Sequence, residues 1–137
     1  MVCPSEETKD LLLKKSIFND NKIYVIYDPH INIKRIQEKK NDPSVNLFET
    51  SKEYIVAIGR LTKQKNYIFL LEVFNKLLTI KNDLNLTIIG DGEDREIIKN
   101  KISSLGIKKY VNLEGYQKNI YKYLDNSICY FSTSLWE

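Results

Sequence analysis

The chain contains few of the residues from which metal, redox and membrane-spanning sites are built. Its 137 residues include only two cysteines, Cys3 and Cys129, and one histidine, and no CxxC pair occurs. Two cysteines so far apart favour buried, reduced thiols over a metal or disulfide site. No run approaches the roughly 18 apolar residues of a membrane-spanning helix, and the N-terminus lacks the regions of a signal peptide. These absences predict a cytoplasmic globular domain without a metal.

An excess of one charge sign is also absent, because 21 basic residues are offset by 18 acidic residues along the chain. The resulting net charge of +3 argues against nucleic acid as a partner. A peripheral contact between a basic face and a membrane surface is compatible with this charge, although no sequence feature favours it.

Apolar strands alternate with amphipathic helices over most of the chain. Apolar spacing predicts helices over residues 6–15, 66–81, 93–107 and 119–127, and strands over residues 22–27, 53–59, 84–90, 110–115 and 128–134. Residues 32–50 are polar and contain Asp42-Pro43, so they are interpreted as a surface connection or hinge. Four strands separated by helices indicate an α/β fold with a Rossmann-like, doubly wound parallel sheet.

Glycine marks three of the predicted strand ends. The turns GRLTKQK, GDGEDR and EGYQKN place Gly59, Gly90, Gly92 and Gly115 at the carboxyl ends of successive strands. Ligands of open α/β sheets bind at this edge, and glycine allows the backbone to approach a ligand closely. The alternative for Gly90 and Gly92 is a tight turn without a ligand.

Two cations follow the first of these strands. Arg60 and Lys65 precede a helix that is predicted to begin near Asn66. A helix N-terminus carries partial positive charge, and arginine and lysine bind phosphate oxygens as a fork and as a point charge. The pattern suits a diphosphate, and the alternative is that both residues are solvated loop cations.

The turn GDGEDR also suggests a dinucleotide site. Glu114 ends the next strand about 20 residues later, where an acid could hold ribose hydroxyls. Arg95, however, occupies the position of the third fingerprint glycine, and the turn does not follow the first strand of the domain. An NAD-dependent oxidoreductase domain is therefore a second alternative.

Three weaker candidates lie near the predicted strand ends. Tyr116 either stacks beside a base or is one of nine tyrosines without a special role. Residues 132–134, Ser-Thr-Ser, either donate hydrogen bonds to a ligand or cap a following helix. His30 is interpreted as a loop histidine.

A resemblance to a known family rests on four segments taken in order, GRLTKQKN, LTIIGDGEDR, VNLEGYQKNIYKYL and FSTSLWE. Together they resemble the C-terminal, donor-binding half of a GT-B-fold, retaining glycosyltransferase of the family called glycosyl transferases group 1. The resemblance extends over roughly residues 5–137. It implies an incomplete half of a GT-B fold.

The resemblance implies a role for each site residue. Arg60 and Lys65 would hold the diphosphate of a UDP- or GDP-linked sugar, and Gly115 and Tyr116 would lie beside the base. Glu137 would contact hydroxyls of the donor sugar. The remaining residues that the resemblance places in nucleotide loops are Gly59, Gly90 and Gly92. It implies no metal and no other cofactor.

The resemblance also implies a domain division and a reaction. Residues 1–32 would be a remnant of an acceptor domain plus hinge, and residues 33–137 a truncated nucleotide-sugar-binding domain. The family usually has Asn-Pro in the hinge, where this chain has Asp28-Pro29. The intact relative would transfer a hexosyl-type sugar with retention to a glycan or lipid acceptor during polysaccharide biosynthesis, in the cytoplasm or at its membrane face. This chain would be inactive alone, and a non-catalytic gene remnant or nucleotide-binding module is the first alternative.

Overall fold

The computed structural model describes residues 1–17, 19, 22–27, 32–41 and 53–136. The chain divides into two units, Met1–Ile36 and Gln37–Glu137. The hinge residues Asp28 and Pro29, the loop residue His30 and the predicted sugar contact Glu137 lie outside the described residues. The predicted domain boundary between residues 32 and 33 stays a prediction.

The first unit contains a short parallel pair of strands and one complete helix. Strand β1 (Val2–Cys3) pairs with β2 (Tyr24–Val25), and helix α1 (Glu6–Lys14) lies between them in sequence. Ser5 caps α1, because its side chain accepts a hydrogen bond of 3.2 Å from the main-chain N–H of Thr8. The predicted helix is therefore confirmed, whereas the predicted strand is reduced to two residues.

The second unit contains most of the regular structure, and the boundary between the units falls within its first helix. Its elements are α2 (Ile33–Lys40), β3 (Tyr54–Ile58), α3 (Tyr67–Leu78), β4 (Asn85–Ile89), α4 (Arg95–Ser104), β5 (Val111–Gly115), α5 (Tyr121–Asn126) and β6 (Cys129–Tyr130). Gly106 follows the last residues of α4 with φ +68°, as expected of a residue that ends a helix. No helix in the described part of the chain is long and apolar enough to cross a membrane.

Helix α2 corrects the prediction of a surface connection for residues 33–40, and residues 42–50 of the predicted segment, which include Asp42-Pro43, lie outside the described residues. The helical segment is polar because it consists mainly of lysine, arginine, glutamine and glutamate, which are also strong helix formers. Asn32 begins the helix, since its side-chain oxygen accepts a hydrogen bond of 3.0 Å from the N–H of Arg35. Polarity was wrongly interpreted as irregular structure.

The four strands of the second unit form one parallel sheet in the order β5-β4-β3-β6. Tyr54 to Ile58 of β3 pair in register with Asn85 to Ile89 of β4. The chain adds β4 and β5 on one side of β3 and then returns to add β6 on the other side. The junction between β3 and β6 is therefore the topological switch point, and ligands of such sheets bind beyond the carboxyl ends of the strands near it. The predicted α/β fold with a parallel, doubly wound sheet is confirmed.

Alternate residues of β3 face two different hydrophobic clusters. Ile55 and Ala57 pack in a cluster that includes buried residues of α3 and α4, whereas Tyr54 and Val56 pack with Tyr123 of α5. Helices therefore cover both faces of the sheet, as the continuous apolar strands predicted. Each fully buried large side chain contributes about 1.5–3 kcal/mol to the free energy of unfolding.

The two cysteines occupy different environments. Cys3 is buried in the first unit, but Cys129 is exposed on β6, and both are free thiols. The prediction that both are buried is wrong for Cys129, because β6 lies at the edge of the four-stranded sheet and pairs only with β3 among the described strands.

Candidate functional site

The loops that follow β3 and β4 are joined by main-chain hydrogen bonds beyond the ends of the strands. The N–H of Gly59 donates to the carbonyl of Ile89, and the N–H of Leu61 donates to the carbonyl of Asp91, both at 3.0 Å. The N–H of Gly90 donates to the carbonyl of Gly115 at 2.8 Å. The main-chain hydrogen bonding of the sheet therefore continues into these loops and joins the carboxyl ends of β3, β4 and β5.

Gly90 and Gly92 allow these loops to approach each other. A Cβ atom on Gly90 would lie 1.9 Å from the carbonyl oxygen of Gly59, and one on Gly92 would lie 2.4 Å from that of Leu61. Real Cβ atoms do not approach this closely, so both positions require glycine for the fold itself. Their assignment to nucleotide loops stays a prediction.

A cavity of about 470 Å³ opens at the carboxyl ends of β3, β4 and β5. The residues predicted from the sequence that line it are Gly59, Arg60, Gly90 and Tyr116. Its apolar lining comes from Ile58, Ile89 and Ile120. The volume lies within the range of roughly 300–1,000 Å³ that is typical of small-molecule sites.

Tyr116 lies at the rim of the cavity. Its side chain is 76% exposed, so its ring is accessible to a ligand. It follows Gly115, whose φ of +70° favours glycine and turns the chain after β5.

Arg60 and Lys65 both lie at the end of β3 but border different depressions. Arg60 is exposed and lines the large cavity. The side-chain stem of Lys65 lies against Gly59, since its Cε would be 3.6 Å from a Cβ at that position. Lys65 lines a smaller depression between β3 and β6, and Ile58 borders both depressions. The two cations therefore flank one strand end.

Helix α3 begins near Asn66 as predicted, but a short 3₁₀ turn that was not predicted precedes it. Lys63–Lys65 form a 3₁₀ turn, and Asn66 then adopts a left-handed conformation with φ 51° before the helix begins at Tyr67. Asn66 and Ile68 line a depression together with Asp94, and neither is among the residues that line the large cavity. The expectation that the helix N-terminus points at the crevice beyond the strand ends stays a prediction.

Tyr67, the first residue of α3, connects this helix to the end of β3. Its hydroxyl donates a hydrogen bond of 3.3 Å to the carbonyl of Gly59. Burial raises the pKa of this hydroxyl, so it remains protonated and able to donate.

The segment that follows β6 holds the turn before α3. The hydroxyl of Thr133 lies 3.1 Å from the carbonyl oxygens of Lys65 and Asn66. The side-chain oxygens of Ser132 and Ser134 lie 3.2 Å from each other. Of the roles weighed for residues 132–134, Thr133 takes a third one, because it bonds the main chain beside Lys65.

Two residues that position the site were not predicted. The main-chain carbonyl of Gln64 accepts a 2.8 Å hydrogen bond from the N–H of Leu135. The side-chain amide of Gln64 donates to the carbonyl of Trp136 at 2.9 Å. Lys39, in α2, lines the large cavity together with Tyr121. Lys39 lies outside all three strand-end glycine turns, and Gln64 lies within GRLTKQK but is bonded to residues beyond β6 that its spacing did not indicate.

Glu114 does not support the dinucleotide alternative. Burial raises the pKa of its carboxyl group. Burial, and after it the charge of Glu114, raises the pKa of Tyr123 in α5. Glu114 is not among the residues that line the large cavity. Arg95 takes the place of the third glycine, and its Nη1 lies 3.8 Å from Oδ1 of Asp91. The acid on which the alternative depends therefore lies outside the lining of the large cavity.

Metal chemistry receives no new candidate. Within the described ranges, no group of three or more His, Cys, Asp and Glu side chains is placed to hold a metal ion. The expectation of a metal-free site stays a prediction.

Comparison with known proteins gives a consistent set of matches. The profile of the family described as Glycosyl transferases group 1 matches residues 38–137. An uncharacterized glycosyltransferase of Methanocaldococcus jannaschii is 33% identical over 144 residues, which cover 100% of this chain and 34% of that protein. The N-acetylgalactosamine-N,N'-diacetylbacillosaminyl-diphospho-undecaprenol 4-alpha-N-acetylgalactosaminyltransferase of Campylobacter jejuni is 32% identical over 85 residues, which cover 62% of this chain and 22% of that protein.

A solved structure shows the same fold. A mutant of S. aureus TarM, crystallised with fondaparinux, alpha-GlcNAc-glycerol and UDP, matches with a TM-score of 0.72 and 21% identity over 97% of this chain and 24% of that chain. The α/β fold with a parallel sheet thus matches GT-B glycosyltransferase structures. The chain spans between about a fifth and a third of the length of these two curated relatives.

Proposed function

The chain belongs to the glycosyl transferases group 1 family, and from that premise we propose that its second unit binds the nucleoside diphosphate part of a sugar donor. One observation carries the proposal. A cavity of about 470 Å³ lies at the carboxyl ends of three parallel strands, with Arg60 and Tyr116 in its lining and Lys65 against the adjacent Gly59.

In this proposal Arg60 and Lys65 bind the diphosphate. The guanidinium of Arg60 donates two parallel hydrogen bonds to phosphate oxygens, and the ammonium of Lys65 reaches a neighbouring oxygen from the other depression. Each charge-assisted contact contributes about 1.5–3 kcal/mol to binding. The same positive charges stabilise the nucleoside diphosphate as it leaves the sugar.

The base occupies the part of the cavity beside the turn after β5. The exposed ring of Tyr116 offers a stacking surface, and Ile58, Ile89 and Ile120 offer apolar contacts. Gly115 leaves this turn without a side chain next to the base. Neither uracil nor guanine is favoured by these contacts.

For the whole protein we propose transfer of a hexosyl-type sugar, with retention, to a glycan or lipid-linked acceptor. The name of the Campylobacter jejuni relative supports a lipid-linked acceptor, since it includes diphospho-undecaprenol. Glu137 is proposed to contact hydroxyls of the donor sugar. The reaction would take place in the cytoplasm or at its membrane face, without a metal.

We assign no acid, base or nucleophile among the described residues. The isolated chain is therefore expected to bind the donor nucleotide and to transfer little sugar. Robust sugar transfer by the purified chain would contradict this part of the proposal.

Calorimetric titration of the chain with UDP and GDP tests the binding site. Arg60→Ala and Lys65→Ala are each expected to weaken binding by about tenfold or more, because each removes a charge-assisted contact. Lys63→Ala is the matched control, since Lys63 carries the same charge on the same turn but lines the depression that contains Asp94. Failure of both nucleotides to bind, or an equal loss for Lys63→Ala, would refute the proposed site.

A further inference from the structure

A cation from outside the strand-end loops also reaches the large cavity. We propose that Lys39 is a further anion-binding residue of the donor site, supplied by α2, and that its ammonium contacts the phosphate part of the bound nucleotide. The inference rests on the proposed function and adds a residue that lies before the first strand of the four-stranded sheet.

The last turn of α2 is anchored to α5 and to the residues just before it. The side-chain amide of Asn119 donates a hydrogen bond of 2.7 Å to the carbonyl of Lys39. The ammonium of Lys40 lies 2.5 Å from Oδ1 of Asp125. All four residues belong to the second unit, Gln37–Glu137. The Asn119 hydrogen bond holds the main chain of Lys39 beside the cavity, whereas the Lys40–Asp125 ion pair is solvent-accessible on both sides and contributes little to that position.

The side chain of Lys39 lies over an aromatic ring in the cavity lining. Its Nζ is 5.6 Å from the centroid of Tyr121, and both residues line the cavity. A ring face attracts an ammonium without neutralising its charge. The ring therefore places the ammonium and leaves its positive charge available to a ligand.

The two neighbouring lysines of α2 use their charges differently. Lys40 forms an ion pair with Asp125, whereas none of the ion pairs between described residues includes Lys39. Both side chains are half-buried and stand in the same helical turn. The pair thus contains one neutralised cation and one directed to the cavity.

The charge of the cavity selects for an anion. Its lining contains the cations Lys39, Arg60 and Lys118 and one carboxylate, Asp91. That carboxylate is already engaged, because its Oδ1 accepts a hydrogen bond of 2.8 Å from the N–H of Gly92. Three cations against one engaged acid match the several negative charges of a diphosphate better than a neutral sugar or nucleoside.

The test compares Lys39→Ala with Lys40→Ala and uses UDP and uridine as probes. Calorimetry at low salt is expected to show UDP binding about tenfold weaker in Lys39→Ala and unchanged uridine binding, because only UDP carries the anion. The loss should shrink as salt is raised, since added ions screen the removed charge. Lys39→Arg should restore most of the affinity, and Lys40→Ala should bind both ligands like the unmodified chain.

The outcomes separate this inference from the donor site itself. If UDP binds in an Arg60-dependent way but Lys39→Ala binds UDP normally, the role of Lys39 is overturned and the donor site stands. Equal losses of UDP and uridine, or an equal loss in Lys40→Ala, would show a structural role of α2 and also overturn the anion contact. Absence of UDP binding by the unmodified chain would overturn both proposals.

Discussion

The substitution Gly90→Ala tests whether the carboxyl edge is built by contact between two backbones. The added Cβ would lie 1.9 Å from the carbonyl oxygen and 2.9 Å from the carbonyl carbon of Gly59. Ordinary van der Waals contact begins near 3.4 Å. Both atoms are main-chain atoms, which cannot rotate away as a side chain would. One of the two loops must therefore move by more than an ångström to accommodate alanine.

The expected cost has two parts. Overpacking of a well-packed site costs about 1–3 kcal/mol. Gly90 also has φ +140°, where a residue with a side chain is strained by about 1–3 kcal/mol. The same displacement would lengthen the hydrogen bond from the N–H of Gly59 to the carbonyl of Ile89. We expect a loss of about 4 kcal/mol in the free energy of unfolding, which is a large part of the roughly 5–15 kcal/mol of a typical domain.

Urea unfolding, followed by circular dichroism, measures this loss, and Gly106→Ala is the control. Gly106 has a positive φ of +68°, but a Cβ there would meet no atom within 4 Å. That variant should lose only the cost of the left-handed conformation, about 1–2 kcal/mol. If Gly90→Ala is no less stable than Gly106→Ala, the steric argument for the joined loops is wrong.

Two further substitutions test residues on either side of the carboxyl ends of the strands, Glu114 in β5 and Thr133 after β6. Glu114→Gln should raise the urea midpoint at pH 7, because burial raises the carboxyl pKa above 4.5 and ionisation of Glu114 therefore disfavours the folded state. The advantage should disappear near pH 3.5, where the carboxyl group is protonated in both states, and the exposed Glu93→Gln is the control; a gain that persists there would contradict the burial argument. Thr133→Val removes the hydroxyl that bonds the turn before α3, so it should cost about 1 kcal/mol of stability and weaken UDP binding, unlike Ser132→Ala. Unchanged UDP affinity in Thr133→Val would show that this segment does not position the donor site.

The sheet and the helices that cover it were predictable because local patterns and tertiary burial agree. The apolar run before Gly59 became β3, which is buried on both faces, and helical spacing after Asn66 became α3. The sequence-based prediction failed for elements that bury few side chains, because such elements have no apolar periodicity. Helix α2 buries no residue, so its helical propensity was hidden behind its polarity, and β6 pairs through only two residues.

The candidate site was predictable where its residues lie in the strand-end glycine turns. Arg60 and Lys65 are five positions apart and follow a recognisable strand end. Lys39 reaches the cavity through a contact with Asn119, which is 80 positions away, and Gln64 is bonded to Trp136 across 72 positions. Contacts over such separations depend on the register of the folded sheet, and spacing within one sequence does not encode that register.

At the carboxyl ends of the strands, the residues that determine the shape of the site differ from those that determine its charge. Its shape comes from main-chain hydrogen bonds between loops, such as that from Leu61 to Asp91, and from glycines that permit the approach. Its charge comes from side chains such as Arg60, which is exposed and is replaceable without a clash. Binding specificity can therefore change through the cations while the hydrogen-bonded loops stay intact. Ligand affinity and urea midpoint should accordingly vary independently between the charge variants and the glycine variants.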